Sequence, residues 1–381
     1  MNVPKIRFKE FSDEWDYKTF DELIDIKSNT YNPSNNNINY RCIELEHINQ
    51  GSGTINGYCN SNEQKSNKNI FKNGDVLFGK LRPYLKKYWY ASFDGVCSSE
   101  IWVAKSKDNN KIINKFIFDI FQSHYFLQLC NLSTGSKMPR ADWSFIKEQS
   151  IPIPSIKEQE KISNTLELFN KKIELQSKKI EDLKLFKKGL IENEFSKDYP
   201  KVNLRELLKE RKLYSEKGLE YPHVTLSKEG IYDKGERYNR DFLVKSDDKQ
   251  YKITKLNDLC YNPANLKFGV ISLNEYGSAI FSPIYVTFEI NKKANPLYIK
   301  YYTTRNNFIN AVRKYEQGTV YERMAVSPED FLKFSIKLPS IEIQNKIVDK
   351  LVLLDKRINL EQSKLDNISS LKKGLMQNMF V

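Results

Sequence analysis

The sequence predicts an α+β protein in which two globular α/β parts alternate with two long helices, as a tandem repeat with pseudo-two-fold symmetry. Three observations lead to this prediction. Residues 154–195 align with 339–380 at an offset of 185 without a gap, and 18 of the 42 aligned pairs are identical. Both stretches carry a heptad pattern of apolar residues. The segments that precede them share scattered residues at an offset of 183.

The two repeated stretches have the pattern of coiled-coil helices. Apolar residues recur in steps of three and four over about four heptads, if two polar positions in each copy are counted as members. These polar positions are Gln176 and Lys187, and Glu361 and Lys372. Because the copies share the pattern, we expect the two helices to face each other, and the polar residues Gln176 and Glu361 within the seam to set register and partner choice. The expected pairing residues are Ile162, Leu166, Phe169, Ile173, Ile180, Leu183, Leu190, Ile347, Leu351, Leu354, Ile358, Leu365, Ile368 and Leu375.

The ends of both helices carry recognisable signals. Ser155, followed three residues later by Glu158, predicts a capping box, and Ser340 is the matching hydroxyl of the second helix. Gly189 and Gly374 each follow a lysine pair and are predicted to end the helices. Some 34 helical residues would form a rod of roughly 50 Å.

Composition limits the class of protein. A chain of 381 residues with 40% hydrophobic residues is predicted to fold into two or three domains. Its five cysteines are scattered and form no C-x-x-C pair, so neither a disulfide framework nor a zinc site is expected. The first 15 residues contain no apolar signal region, and no run of 18 apolar residues follows. We therefore expect a cytoplasmic protein without a membrane span.

The net charge of +13 lies mostly outside the predicted helices. Residues 1–153 and 196–338 together carry ten of the thirteen excess positive charges. Lysine, asparagine, isoleucine and tyrosine are all abundant, a bias that an AT-rich genome also produces. The charge is compatible with a nucleic-acid partner for the globular parts but does not establish one.

The first globular part predicts a mixed fold. Strands are predicted at 40–48, 54–58, 75–78 and 101–104, and a phenylalanine-rich helix at 112–129. The second globular part follows the same plan. Identical residues at the offset of 183 are Asp75 and Asp258, Ser99 and Ser282, Ile101 and Ile284, Val103 and Val286, Gly135 and Gly318, and Arg140 and Arg323. We therefore divide the chain into a first globular domain (1–153), a first helix (154–195), a second globular domain (196–338) and a second helix (339–381).

No set of catalytic residues emerges from the sequence. Residues 74–81 approach a phosphate-binding loop, but Leu81 replaces the hydroxyl that would bind Mg²⁺ and no helix follows. Residues 262–265 approach the Asn-Pro-Pro-Tyr motif of DNA amino-methyltransferases, but they lack its aromatic residue, and no G-x-G cofactor loop precedes them. The three histidines stand apart from one another. This pattern argues against an enzyme that acts alone.

Basic and aromatic loops are the candidates for DNA contacts, because their residue types bind phosphates and base edges. For any single lysine a solvated surface position is the simpler interpretation, and for the aligned Arg140 and Arg323 an internal salt bridge is equally compatible. The candidate DNA-binding residues are Lys80, Arg82, Tyr84, Lys86, Lys87, Lys137, Arg140, Asn265, Lys267, Tyr321 and Arg323.

The chain resembles the specificity subunits of type I restriction-modification systems. The resemblance is carried by the sequence Pro-Ser-Ile-Lys-Glu-Gln-Glu-Lys-Ile at 154–162, which is close to the family's P-x-x-E-Q-x-x-I helix entry, and by its partner at 339–347. Lys-Lys-Gly-Leu at 187–190 and at 372–375 adds to it. Ile343 stands where the family usually has glutamate, which weakens the cap of the second helix without disturbing the alignment.

The resemblance implies a function. Each globular part would be a target recognition domain that reads one half of a split sequence in double-stranded DNA. The two helices would pair as an intramolecular antiparallel coiled coil and act as spacer and as docking site for two modification subunits. Restriction subunits would join later. S-adenosylmethionine, ATP and Mg²⁺ would bind those partners, and this chain would hold no cofactor, no metal and no catalytic residue.

Three alternatives stay open at this point. The chain could be a coiled-coil adaptor that does not bind DNA, the recognition part of a methylation-only system, or a methyltransferase that fuses recognition with catalysis. A gel shift in the presence of the modification subunit separates the first, and binding of S-adenosylmethionine by the isolated chain would revive the last.

Overall fold

The computed structural model describes residues 4–35, 38–132, 138–216, 220–234, 250–316 and 325–380. It contains two compact units: unit 1 consists of Met1–Lys178 and Glu361–Val381, and unit 2 of Lys179–Leu360. Each unit therefore combines one globular part with a segment of both long helices. The four segments predicted from the sequence make each helix a segment of its own, and this division stays a prediction.

Unit 1 is built from short strands, short helices and parts of the two long helices. Its strands are β1 (Asp16–Thr19), β2 (Ile24–Asp25), β3 (Thr30–Tyr31), β4 (Arg41–Ile43), β5 (Cys59–Asn60), β6 (Lys68–Phe71), β7 (Val76–Gly79), β8 (Tyr88–Tyr90), β9 (Gly95–Ser98), β10 (Ile101–Ser106) and β11 (Ser150–Ile153). Its short helices are α1 (Phe20–Leu23), α2 (Asn114–Gln122), α3 (His124–Leu132) and α4 (Trp143–Ile146). The long helix α5 (Ile156–Ser196) follows.

Unit 2 repeats this order. Its strands are β12 (Lys201–Asn203), β13 (Leu208–Glu210), β14 (Tyr214–Ser215), β15 (Val224–Ser227), β16 (Gly230–Asp233), β17 (Tyr251–Thr254), β18 (Leu259–Tyr261), β19 (Ile271–Leu273), β20 (Ala279–Phe281), β21 (Val286–Ile290) and β22 (Ser335–Lys337). Its short helices are α6 (Pro296–Thr303), α7 (Asn306–Val312) and α8 (Pro328–Leu332), and the long helix α9 (Ile341–Asn378) closes the chain.

The inner sheets of the two units correspond strand for strand. Unit 1 pairs β1 with β11 and forms a four-stranded sheet in the order β2-β10-β7-β8. Unit 2 pairs β12 with β22 and forms β13-β21-β18-β19. In both cases the sheet packs against the following helices through a core of buried aromatic and aliphatic side chains. The tandem repeat predicted from the sequence is confirmed.

The turn before the central strand is also the same in both units. The carboxylate of Asp75 accepts a hydrogen bond from the backbone N–H of Lys72 (2.7 Å), and that of Asp258 accepts one from Lys255 (2.7 Å). The residue before each aspartate has a left-handed backbone, Gly74 with φ 88° and Asn257 with φ 68°. Gly and Asn tolerate this conformation best, so the aligned aspartates mark a turn with the same geometry in both units.

The outer sheets differ. In unit 1 five strands pair in the order β3-β6-β9-β4-β5, with β4 and β9 parallel. In unit 2 the described residues form a three-stranded sheet, β14-β17-β20, and a separate β15-β16 hairpin. The two globular parts therefore share a frame and differ in the layer built on it.

The long helices α5 and α9 face each other, as the heptad pattern predicts, and they pair in antiparallel fashion, as the family resemblance implies. In unit 1, Ile162 packs in the same core as Leu375, while the side-chain amide of Gln176 donates to a carboxylate oxygen of Glu361 (2.7 Å). A later position on α5 therefore meets an earlier one on α9.

The same pairing is seen within unit 2. Lys187 forms an ion pair with Asp355, and Lys350 lies 3.1 Å from a carboxylate oxygen of Glu194. Of the fourteen predicted pairing residues, six are buried and eight are half-buried, whereas Leu168 and Leu353, which lie off the heptad positions, are exposed. The apolar stripe thus faces the interior of each unit.

A buried glutamine fixes the start of each long helix. The side chain of Gln159 donates to the carbonyls of Pro154 (2.9 Å) and Lys111 (2.8 Å), and accepts from the N–H of Ile113 (3.1 Å). These bonds tie the helix entry to the loop that precedes α2. A buried backbone polar group needs such a partner, which explains a glutamine within the P-x-x-E-Q motif.

Gln344 makes the same contacts in unit 2. Its side chain donates to the carbonyls of Pro339 (2.9 Å) and Lys293 (3.3 Å), and accepts from the N–H of Asn295 (2.8 Å). Both glutamines are fully buried. We call this arrangement the glutamine clamp.

The predicted capping box of α5 is wrong. Both carboxylate oxygens of the buried Glu158 accept hydrogen bonds from the guanidinium of Arg7, at 2.7 and 2.8 Å. The glutamate is thus engaged with the N-terminal segment, whose Ile6 N–H also donates to the carbonyl of Asn378 (2.9 Å). An ion pair with a distant residue replaces the local cap.

The glycine stops are also wrong, because α5 runs seven residues past Gly189 and α9 four past Gly374. Phe195 and Met379 are buried beyond these glycines, and their packing outweighs the cost of about 1 kcal/mol for a glycine within a helix.

Of the strands and the helix predicted in the first globular part, some are confirmed and others differ from the structure. The strands at 75–78 and 101–104 are confirmed as β7 and β10. The helix predicted at 112–129 is two helices, α2 and α3, that meet at the buried Ser123. The strands predicted at 40–48 and 54–58 are reduced to β4 and a single bridge between Ile48 and Ile55.

Candidate nucleic-acid interface

The basic loop at 80–87 connects β7 with β8 in unit 1. A short helical turn, Pro83–Leu85, lies between Arg82 and Lys86, and both flanking residues have left-handed backbones (φ 53° and 51°). Such a conformation is unfavourable for residues with a side chain and persists only where the surroundings impose it. Here the N–H of Arg82 donates to Pro139 (2.7 Å), and the carbonyl of Lys86 accepts from Gly51 (3.0 Å).

The side chains of this loop have different environments. Arg82, Tyr84 and Lys86 are exposed, and Lys80 is half-buried. The ammonium group of Lys87 donates to the backbone carbonyl of Leu45. A fixed backbone therefore presents Arg82, Tyr84 and Lys86 to solvent. Lys87 instead holds the loop to the neighbouring segment.

Arg140 lies beside this loop. The N–H of Ala141 donates to the carbonyl of Lys80 (2.9 Å), which places the two segments side by side. The guanidinium of Arg140 binds the carboxylate of Glu100 in a bidentate manner, at 3.0 and 3.1 Å. The internal salt bridge considered as an alternative is therefore present, and a DNA contact by Arg140 stays a prediction. Lys137 lies outside the described residues.

The aligned loop of unit 2 has another geometry. The side-chain oxygen of Asn262 accepts from the N–H groups of Ala264 (3.1 Å) and Asn265 (3.2 Å), and a helical turn, Leu266–Phe268, follows. Asn265 is half-buried and Lys267 is exposed. Tyr321 and Arg323 lie outside the described residues.

The sequence did not single out Phe268. Its ring is more exposed than buried and lies 5.2 Å from the ammonium group of Lys267. The sequence shows an aromatic residue next to a lysine. Apolar residues lie on both sides of this pair, however, and such a segment also fits a buried strand.

A buried polar cluster lies in unit 1 where α2 meets the long helices. One carboxylate oxygen of Asp119 and the hydroxyl of Ser163 are buried without a hydrogen-bond partner among the described residues. Burial raises the pKa of Asp119 to about 7. The ammonium group of Lys372 lies 3.2 Å from the side-chain oxygen of Gln122, and burial lowers its pKa.

The corresponding lysine of unit 2, Lys187, has other partners. It pairs with Asp355 and lies 5.0 Å from the ring of Tyr301, whose hydroxyl donates to the same carboxylate (2.6 Å). Burial raises the pKa of this tyrosine strongly. Both lysines thus belong to helix packing, and neither cluster contains an exposed nucleophile or base.

Within the described residues, no group of His, Cys, Asp and Glu side chains is arranged to hold a metal ion. In the same part of the chain, every helix is too short or too polar to span a bilayer.

Comparison with known proteins finds sequence similarity in the first half of the chain. Residues 12–185 match the family model described as the type I restriction modification DNA specificity domain. The chain is 29% identical over 158 residues to the type I restriction enzyme EcoDI specificity subunit of Escherichia coli. This match covers 40% of the chain, and the chain spans about a third (34%) of that subunit.

Solved structures share the fold over nearly the whole chain. The S subunit of a type I restriction-modification system from M. genitalium superposes with a TM-score of 0.59, at 15% identity, over 100% of this chain and 99% of that one. A chain from a structural study of complex assembly and conformational transition in the type I R-M system superposes with a TM-score of 0.60, at 16% identity, over 95% and 96%. The chain is thus similar to type I restriction-modification specificity subunits, by sequence in residues 12–185 and by fold over nearly its whole length.

Proposed function

We propose that the chain is the sequence-specific DNA-recognition subunit of a type I restriction-modification complex. The specificity domain in residues 12–185 is the observation that carries this proposal. Unit 2 supports this proposal, because its inner sheet has the same strand order as that of unit 1, while its outer sheet differs from that of unit 1. A duplicated frame with two unlike surfaces suits the reading of two unlike DNA half-sites.

The target is then bipartite and asymmetric. Two reading domains on one face of B-DNA meet half-sites about one turn apart, roughly 34 Å or 10 bp between centres. The paired helices would set the number of unread base pairs between the half-sites. Removing one heptad from each helix should shorten this spacer, as mapped by methylated adenines. An unchanged spacer would show that the helices do not determine it.

The outward faces of the helices offer docking sites for two modification subunits. Unit 1 exposes Leu168, Leu175 and Leu371, and unit 2 exposes the residues at the equivalent positions, Leu353, Leu360 and Phe186. Each of the six is at least 49% exposed. Large apolar side chains repeated on a surface indicate a partner, and a set that occurs once per unit fits two copies of the same one.

Charge substitutions test this docking. Leu168→Glu with Leu175→Glu should remove one modification subunit, and Leu353→Glu with Leu360→Glu the other, as measured by native mass spectrometry. Leu185→Glu is the matched control: Leu185 is equally exposed, but Ser370 stands at the equivalent position of α9. Retention of two modification subunits by both double variants would exclude these surfaces.

Catalysis would belong to the partners. We propose that S-adenosylmethionine binds the modification subunits, that ATP and Mg²⁺ serve the restriction subunits, and that this chain supplies recognition without chemistry. Whether restriction subunits join decides between a cleaving and a methylation-only system.

The DNA-binding role is tested with the chain and its modification subunit together. We expect a gel shift that weakens steeply with salt, because phosphate contacts release counterions. Methylome sequencing of the host with and without this chain should reveal one bipartite motif that depends on it. A complex that forms but neither shifts DNA nor changes the methylome would favour the coiled-coil adaptor.

A further inference from the structure

One exposed arginine of unit 1 is held in place by aromatic rings. Arg41 opens β4, and its guanidinium carbon lies 5.0 Å from the ring centre of Tyr58 and 4.9 Å from that of Phe93. The two rings are 6.1 Å apart and inclined at 66°. The guanidinium therefore sits in the corner between them, a position that cation–π attraction favours.

The corner is rigid because it is anchored in the core. The ring of Phe93 lies 5.0 Å from Trp89 and 6.0 Å from Phe71, both of which are buried. The backbone of Arg41 is also confined: a Cβ atom at Gly95 would lie 2.6 Å from the carbonyl oxygen of Arg41. The aromatic rings thus fix the side chain of Arg41, and the close approach of Gly95 fixes its backbone.

Arg41 has no carboxylate partner in the described part of the chain. Glu158, Glu100, Asp258 and Glu316 neutralise four other arginines in ion pairs. Aromatic rings hold a guanidinium without using its N–H donors. Those of Arg41 are therefore free for a ligand while the side chain keeps its direction.

A rigid guanidinium with open donors suits a base edge better than a phosphate. Two parallel N–H groups match the O6 and N7 atoms of guanine in the major groove, and this contact depends on orientation. Phosphate contacts tolerate mobile side chains such as exposed lysines. The observed geometry fixes the orientation that guanine recognition needs.

The feature belongs to the outer sheet of unit 1. In the described part of unit 2, Arg305 also lies over two rings, 4.7 Å from that of Phe195 and 4.1 Å from that of Tyr302, but its Nε donates to the carbonyl of Tyr302 (3.2 Å), so its donors are not all open. In unit 1 the residue after Arg41, Cys42, pairs with Val96 in parallel register. In unit 2 the parallel bridge is between His223 and Ile280, and the residue before His223 is Pro222, which has no donor group. A contact made by Arg41 would therefore affect only one of the two half-sites.

We propose that Arg41, held by Tyr58 and Phe93, reads a guanine in the half-site bound by unit 1. This inference rests on the proposed DNA-recognition function and adds to it one residue and one base. It also explains why an exposed aromatic corner is built onto the outer sheet that differs between the units.

The test uses the complete chain with its modification subunits and a DNA library randomised over the target, with methylation of each sequence as the readout. Arg41→Gln should reduce the preference for guanine at one position of one half-site by roughly 5-fold or more. Arg41→Lys should do nearly the same, because a lysine keeps the charge but loses the two-donor fork. The other half-site should be unaffected.

Arg82→Gln is the matched control, since it removes the same charge from another exposed position of unit 1. It should weaken all sequences alike. An unchanged base preference in Arg41→Gln, or a uniform loss like that of the control, would overturn the assignment. Failure of the wild-type complex to select any sequence would instead count against the proposed function itself.

Discussion

Units 1 and 2 share the inner sheet and its contacts with the long helices, but they differ in the outer sheet and in several side-chain contacts. Both have the same inner-sheet order, the same aspartate turn before the central strand and the same glutamine clamp. They differ in the outer sheets and in the contacts of the long-helix lysines Lys372 and Lys187. They also differ at the position that is Glu158 in unit 1 and Ile343 in unit 2. The comparison teaches that the repeat preserves the contacts between the long helices and the globular parts, while the exposed layer is free to diverge.

The glutamine clamp should give the largest effect. Gln159→Leu removes three hydrogen bonds and leaves buried backbone groups unpaired, so we expect a loss of about 3 kcal/mol or more in the free energy of unfolding of unit 1. Gln344→Leu should do the same to unit 2. Denaturant unfolding followed by hydrogen exchange assigns each loss to its unit.

The exposed Gln377 provides the control for the clamp. Gln377→Leu should stay within about 0.5 kcal/mol of the wild type. If Gln159→Leu were equally mild, the clamp would not stabilise the helix entry.

The ion pair at the helix entry is specific to unit 1. Arg7→Ala leaves the buried Glu158 without its bidentate partner and should cost about 3 kcal/mol of unfolding free energy. Ile343→Ala, at the exposed equivalent position of unit 2, should have almost no effect. The double variant Arg7→Ala with Glu158→Ile copies unit 2 and should recover much of the loss; no recovery would mean that Arg7 acts through another contact.

The polar pair between the helices joins two equivalent positions, Gln176 and Glu361. Gln176→Glu would place two carboxylates face to face and should lower the free energy of unfolding by about 2 kcal/mol. Exchanging both residues, as Gln176→Glu with Glu361→Gln, restores one amide and one carboxylate. Thermal unfolding should show recovery in the double variant, and equal losses in both variants would refute the pairing role.

The smallest effect concerns pH. Because burial raises the folded-state pKa of Asp119 to about 7, the folded chain binds this proton more tightly than the unfolded chain. Stability should therefore fall as pH rises towards and through that value, by about 1.4 kcal/mol between pH 6 and 8. The groups that face this carboxyl are Ser163, Lys372, Lys115 and Glu167.

Asp119→Asn should flatten this part of the stability profile. In unit 2 the residue at the same offset is Tyr302, so hydrogen exchange in unit 2 should not follow the profile. An Asp119→Asn variant with the wild-type slope between pH 6 and 8 would assign the dependence to another group.

The sequence predicted the architecture well because duplication makes it visible. The shared offset revealed the repeat, and the heptad pattern revealed that the two helices face each other, while their antiparallel orientation followed from the family resemblance. Helix ends were predicted poorly, since Phe195 and Met379 extend the helices by packing on residues far away in the chain. The clamp was missed for the same reason: nothing near Gln159 in the sequence shows that Lys111 and Ile113 lie beside it.

The candidate interface was predicted only in part. Basic residues marked the 80–87 loop, but the sequence does not distinguish Lys87, which binds a backbone carbonyl, from its exposed neighbours. Arg41 escaped notice because Tyr58 and Phe93 lie 17 and 52 residues away and meet it only when the outer sheet forms.

The 80–87 loop keeps its path through backbone hydrogen bonds and the anchor of Lys87, while the side chains of Arg82, Tyr84 and Lys86 take no part in holding it. The groups that fix the loop are therefore different from the side chains that it exposes. A descendant of this chain could therefore exchange those three residues, and so change how strongly it holds DNA, without a change in the path of the loop.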